Sequence, residues 1–432
     1  MSLNAHWMPF TSNKAFLSKP RILKSAHGMY WTNDRDQPVL DMTAGLWCTN
    51  LGHGREKVAA AIHQSAQTLD YAPSFGFGHN GAFELAERLA ELAPGELNHA
   101  FFTNSGSEAV DTAMKMALAY HASIGQKGRK IFIGRERGYH GVNFGGTAAG
   151  GIASNTKVFG RWGEVHHLAD VLDIERNAFS RGLPLYGIEK ADELEHLINF
   201  HGAENIAAVI VEPIQGAGGV IIPPVGYLAR LSEICCKYGV LLIFDEVVCA
   251  FGRTGSFSAA QEFAIQPDIM VLAKGLTSGT IPMGAVLCSS QIYSVVVADS
   301  PIGIEFSHGY TYSAHPTACA AALACLDIYE EEGLFSRANQ GIGQYFEDAL
   351  HSLRDLPDVV DIRNYGLLGA VEFAATEEAV PTAVKIFPAA WENGLMLRGL
   401  GTAVVVSPPL TVEEAHIDEF TSKLRKTVLS IF

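Results

Sequence analysis

Residues 240–255 read VLLIFDEVVCAFGRTG. An unbroken apolar run from Val240 to Phe244 ends in two adjacent carboxylates, Asp245 and Glu246. A second apolar stretch then leads into a Gly-Arg-Thr-Gly turn. Two comparable runs flank it. One is IAAVIVEP (206–213), closed by Glu212 and Pro213; the other is DIMVLAKG (268–275), which carries Lys274. Between the first two, GYLARLSEICCKYG (226–239) has the apolar spacing of a helix and a stop signal at Gly239. Continuous apolar runs separated by helices predict parallel strands covered on both faces, because such strands have no wet side to alternate towards. The middle of the chain therefore reads as a doubly wound α/β sheet. In such sheets ligands sit outside the carboxyl ends of the strands, where Asp245 falls.

Working outward, ELAERLAELA (84–93) predicts a helix. AFFTNSGSEAVDTAMKMALAYH (100–121) reads as a short strand, a small-residue turn and a helix, and KIFIGRERGYHG (130–141) as a strand leaving into a glycine-bounded loop. Residues 151–200 mix charged and apolar stretches and predict no clear element. From about residue 318 the character changes. ACAAALACLDIYEEEGL and a helix around YFEDALHSL lead to shorter strands such as LGAVEFA and AVVVSPPL, a smaller α+β unit. The expected organisation is an amino-terminal segment, 1–65, that joins the small unit, then a large domain, 66–317, and a small domain, 318–432.

Composition narrows the class. The 432 residues are 48% hydrophobic and 18% charged, enough to bury a large core in two or three domains. A net charge of −15 argues against nucleic acid or an anionic membrane as the main partner. Seven cysteines in so long a chain are no disulfide framework, and the adjacent Cys235 and Cys236 have the wrong spacing for a redox or zinc pair. No signal-peptide pattern and no apolar run long enough for a bilayer is visible, so a cytoplasmic protein is expected. No metal site is expected, because His166-His167 and His308…His315 lack a recognised ligand spacing.

Four features carry chemistry. Lys274 closes a buried run; desolvation lowers the pKa of such an amine and suits it to Schiff-base formation, although an ion-paired lysine reads equally well in isolation. Asp245 suits a partner for a pyridine nitrogen, or a structural ion pair. Thr103-Asn104-Ser105-Gly106-Ser107 before a helix opening with Glu108 suits a phosphate, or an ordinary Ser105–Glu108 capping box. Gly138-Tyr139-His140-Gly141 places aromatic rings on a loop where one could cover a flat cofactor. Their joint occurrence matches what pyridoxal 5′-phosphate needs.

FFTNSGSEA, RGYHG, VIVEPIQG, IFDEVVCAFGRTG, AKG and HGYTYSAHP together resemble the class III, fold-type I aminotransferases that use pyridoxal phosphate. MPFTSNKAF, DMTAGLWCTNLGHGR and LMLRGLG…VVVSPPL resemble their ω-amino acid–pyruvate (β-alanine–pyruvate) branch. The resemblance implies Lys274 as the Schiff-base lysine and Asp245 as the partner of the ring nitrogen. It implies Val247 and Tyr139 on the two ring faces and Ser105, Gly106 and Ser107 around the phosphate. It also implies Thr311 reaching the phosphate of a neighbouring subunit, hence a homodimer or homotetramer with shared active sites. Trp47, Tyr139, Arg398 and Glu212 would contact substrate, Arg398 as a mobile carboxylate fork. The implied reaction moves an amino group from an ω-amino acid or amine to pyruvate. Other donors or 2-oxoglutarate, or a same-fold aminomutase or decarboxylase, stay open. Cys249, and FGFGHNG near the pocket entrance, depart from the branch pattern. FGFGHNG also matches a dinucleotide-binding glycine motif, but no apolar strand precedes it.

Overall fold

The computed structural model describes residues 3–298, 303–375 and 380–431. Its centre is a seven-stranded sheet. In spatial order the strands are His99–Thr103, Gly284–Cys288, Ile269–Leu272, Leu241–Asp245, Ile206–Val211, Ile131–Arg135 and Val165–Leu168. The pairings from Ile269–Leu272 to Val165–Leu168 are all parallel. Gly284–Cys288 is antiparallel to both of its neighbours, which leaves six strands pointing the same way. The three apolar runs read from sequence occupy adjacent central positions and are buried along their whole length, so a doubly covered sheet is what their composition demanded.

The helix Tyr227–Tyr238 covers one face with Leu228, Leu231 and Ile234, and Gly239 ends it in the left-handed conformation (φ 63°). On the other face the helix Gly106–Ser123 lays Ala109, Val110, Ala113 and Ala117 against Ile243, Ile269, Val271 and Val286. Small residues on that face bring the helix close to the strands.

Two strands of this sheet, Gly284–Cys288 and Val165–Leu168, were not anticipated. Val165–Leu168 forms the sheet edge within the stretch that gave no pattern. At four residues, three of them half-buried, it is too short and too polar for the long apolar signature of the centre.

Beyond the main sheet, Val359–Tyr365, Leu368–Phe373, Ala403–Val406 and Arg398–Leu400 make a four-stranded antiparallel sheet. The amino-terminal strands Leu23–His27, Tyr30–Asn33 and Pro38–Asp41 form another, completed by Leu395–Met396 in parallel pairing with Pro38–Asp41. Chain distant in sequence is thus stitched together. Arg253, fully buried in the Gly-Arg-Thr-Gly turn, adds a second stitch. Its guanidinium donates to Asn50 Oδ1 (2.8 Å) and to the carbonyls of Leu367 and Pro408. A third is Arg363, whose guanidinium binds Asp361 (2.9 Å), Glu372 (2.6 Å) and the carbonyls of Gly219 and Val220. No helix among the described residues is long and apolar enough to cross a membrane.

Candidate active site

Strand register brings the chemical groups together. Val211 pairs with Phe244 and Asp245 with Val271, so Glu212, Asp245 and the residues after Leu272 emerge side by side at the carboxyl ends of three parallel strands. Lys274 follows two residues beyond Leu272 in a 3-10 turn, Lys274–Thr277, with φ 47°. A non-glycine residue there costs about 1–2 kcal/mol, which the packing around it must offset. Burial lowers the Lys274 pKa, opposed by Cys48, Asp245 and Glu212 in that order. Its Nζ has no hydrogen-bond or ion-pair partner among the described residues and lies 5.2 Å from the centroid of the Trp47 ring. An amine so placed deprotonates more readily than an exposed one and is unencumbered by a direct acid partner.

Asp245 accepts from His140 Nδ1 (2.8 Å) and from the backbone N–H of Val247 (3.1 Å). A carboxylate offers acceptors only, so the imidazole donates from Nδ1. His140 is buried and its Nε2 has no partner among the described residues. Sequence reasoning placed His140 on the aromatic loop without giving it a task; its position inside Gly-Tyr-His-Gly was the signal available.

Glu212 accepts from the backbone N–H groups of Tyr139 (2.9 Å) and Gly216 (2.8 Å), which anchors the aromatic loop over the strand ends. Burial raises its pKa, and Asp245 raises it further against the opposing effect of His140. The Tyr139 phenol is raised by burial and then by Asp245 and Glu212, while Arg398 lowers it. Tyr139 therefore sits within electrostatic reach of all three. Arg398, half-buried on the edge strand Arg398–Leu400, has its pKa lowered by burial and raised by Tyr139. No carboxylate neutralises its fork among the described residues.

The helix Gly106–Ser123 aims its amino terminus at the same place. A side chain at Gly106 would come within 3.2 Å of the Val247 methyls and 3.5 Å of Ala273 Cβ, so glycine is what lets the helix start approach the strand ends. Ser105 caps the helix by accepting from Glu108 N–H (3.2 Å), and Glu108 reaches back to the backbone N–H of Asn104 (2.8 Å). Ser107 Oγ accepts from Val142 N–H (3.1 Å), holding the aromatic loop against the helix start. The capping alternative is thus realised in form, yet the first N–H groups of the helix still have no intrahelical acceptor and are available to an anion. Thr311 is exposed on the turn after His308, and its carbonyl accepts from Tyr71 OH (2.9 Å).

Trp47 is buried in a backbone stretch with φ 45° at Ala44 and 59° at Trp47. Its Nε1 has no acceptor among the described residues. Cys249, whose place in the bend sequence could not explain, is buried against Ile214 and Trp47 and donates its thiol to the Ile214 carbonyl (3.3 Å). It is a packing residue in the apolar cluster that also holds Trp47.

Glu246, adjacent to Asp245, turns away from the site. Fully buried, it accepts from the N–H groups of Ala259 (3.0 Å) and Ala260 (2.6 Å). Burial pushes its pKa up to about 7 against those two donors. A carboxyl with a raised folded-state pKa contributes stability fully present below its unfolded value, about 4.3, and lost as pH rises through about 7, a window worth about 4 kcal/mol. Glu246→Gln should flatten the fall in Tm between pH 5 and pH 8 measured by thermal melts. An unchanged slope would show that the carboxyl does not titrate in that range.

A parallel sheet whose strand ends bring a half-buried free lysine, a histidine-braced aspartate and a glycine-opened helix start to one point defines a fold-type I enzyme. The aminotransferase class-III family model matches residues 12–428. The chain belongs to the class-III aminotransferases and is an aminotransferase of the pyridoxal-phosphate-dependent type. It is 48% identical to an omega-aminotransferase of Caulobacter vibrioides over 99% of this chain and 97% of that one. It is 47% identical to a beta-alanine–pyruvate aminotransferase of Pseudomonas aeruginosa, covering 97% and 94%. Among solved structures, an omega transaminase from Pseudomonas jessenii in complex with PMP superposes with a TM-score of 0.93 at 34% identity, covering 100% and 98% of the two chains.

Proposed function

We propose that the chain transfers the amino group of an ω-amino acid or related amine to pyruvate, with pyridoxal 5′-phosphate held at the strand ends. The arrangement that carries this reading is Lys274, unpaired beside Asp245 and Glu212, facing a helix start that glycine opens. The residues fit the cofactor. Gly106 and Ser107 N–H groups and the Ser105 and Ser107 hydroxyls would hold its phosphate, Asp245 its ring nitrogen, and Val247 and Tyr139 its two faces. When bound, the cofactor supplies an electron sink for the pair released as the substrate C–H bond breaks.

The chain's own groups supply the rest. Lys274 Nζ, its pKa lowered, would take the proton from the amine-bearing carbon and deliver it to the carbon on the far side of the amine nitrogen. Asp245, fixed by His140 and Val247 N–H, holds a proton on the ring nitrogen. Arg398 binds the pyruvate carboxylate through its planar fork, and its long stem lets it leave when a donor presents only methylenes. Trp47 walls the substrate side and excludes water.

Thr311 would complete a partner subunit's phosphate site, making the working unit a homodimer or a tetramer built from it. Its surroundings support this: Phe75, which lies against Gly309, and Tyr312 are mostly exposed beside the same turn.

With β-alanine as donor and pyruvate and 2-oxoglutarate in competition, pyruvate should be consumed preferentially. Preference for 2-oxoglutarate would sink the substrate assignment. Arg398→Ala should lower kcat/KM for pyruvate on the order of 10–100-fold, from lost charge-assisted hydrogen bonds, and leave a simple aldehyde acceptor nearly unaffected. Equal losses with both would remove Arg398 from carboxylate recognition.

A further inference from the structure

The sequence separates Glu164 and His166 from His201, but the fold does not. Glu164 and His166 lie at the start of the edge strand Val165–Leu168, and His201 ends the nine-residue helix Glu193–His201 that packs beside it. One ligand atom from each residue falls within 4.8 Å of the other two. His166 Nε2 stands 3.5 Å from Glu164 Oε1, and the His166 and His201 rings stack with centroids 3.9 Å apart. His166 Nε2 is itself buried and has no hydrogen-bond partner among the described residues.

We propose that Glu164, His166 and His201 form a binding site for a divalent transition-metal cation of the zinc class. Two imidazoles and one carboxylate are borderline ligands that favour zinc, cobalt or nickel over magnesium. Tetrahedral zinc with ligand bonds near 2.0–2.1 Å sets donor atoms about 3.3 Å apart. Glu164 and His166 already stand near that spacing; binding requires the His201 ring, half-exposed, to rotate out of its stack on His166 so that the two in-plane lone pairs meet. The helix that ends at His201 turns its negative dipole end to the site, which favours a cation there. Expectation from spacing along the chain excluded a metal because no recognised pattern surrounds His166; the third ligand comes from a separate helix.

The site lies away from the reacting groups. Glu164 precedes the amino end of its strand, where its carbonyl accepts from Phe132 N–H (3.1 Å), whereas Lys274 and Asp245 follow carboxyl ends. A bound cation would pin the sheet's exposed edge strand to the neighbouring helix and act on stability rather than on chemistry.

The test is calorimetric titration of the cofactor-loaded enzyme with zinc chloride, with thermal melts alongside. One equivalent per chain, a Tm rise of a few degrees at about hundredfold excess over Kd, reversal by EDTA and no response to magnesium are expected. His166→Ala and His201→Ala should each weaken binding more than about tenfold, with a smaller loss in Glu164→Gln. Turnover without added zinc should be unchanged in all three. Absence of saturable binding, or unchanged affinity in the His166→Ala/His201→Ala double variant, would overturn the site.

Discussion

Lys274→Ala should retain the fold and bind pyridoxal phosphate, yet lose turnover by on the order of 10⁴-fold or more. Proton transfer by a positioned group contributes on the order of 10²–10⁴, and in the proposed mechanism the same nitrogen is also the covalent anchor, so both contributions would vanish together. The variant removes a cation from a site where burial already disfavours the charge, so folding should not suffer from an unpaired partner. It also relieves nothing at the backbone, since alanine meets the same φ of 47°. Three measurements separate the roles. Cofactor should co-purify with the variant, borohydride should fix it to residue 274 in the parent enzyme and nowhere in the variant, and a small exogenous amine should restore part of the rate. Turnover near the parent level would end the assignment.

The second large effect belongs to Asp245. Asn at this position keeps the shape and an acceptor for His140 Nδ1, but removes the negative charge that in the proposed mechanism favours a proton on the ring nitrogen. A preorganised group aimed at charge that develops in the transition state is worth on the order of 10²–10³ in kcat, and a loss of that size is expected for Asp245→Asn. The fall should be in kcat more than in KM, because Asp245 contacts no substrate atom in this arrangement. His140→Gln tests the brace behind it. A smaller loss of the same kind is expected there, and a change in KM alone would place His140 elsewhere.

Much of this was readable before any fold was known, and for identifiable reasons. Strands covered on both faces have no choice but to be apolar throughout, so Ile206–Val211, Leu241–Asp245 and Ile269–Leu272 stood out, and the polar residues closing them marked the ligand end. Signals weakened where geometry replaced composition. The edge strand Val165–Leu168 carries two histidines and little apolar surface, so nothing in its pattern demanded a sheet. The left-handed backbone at Ala44, Trp47 and Lys274 is imposed by surrounding packing and is invisible in residue type. Glu212 was read as facing substrate. In the structure both its oxygens accept backbone N–H groups, so its immediate task is to hold the Tyr139 loop, and a substrate contact remains a proposal. His140 and Cys48 needed three dimensions to be seen beside Asp245 and Lys274.

The buried Arg253 has a consequence for how the chain can be cut. Its acceptors come from Asn50, Leu367 and Pro408, no carboxylate pairs with it among the described residues, and burial lowers its pKa to about 10. A fragment lacking either terminus would strip acceptors from that cation and open its surroundings to water. The large sheet should therefore lose stability when cut from either terminal segment, so fusion partners belong at the ends of the whole chain.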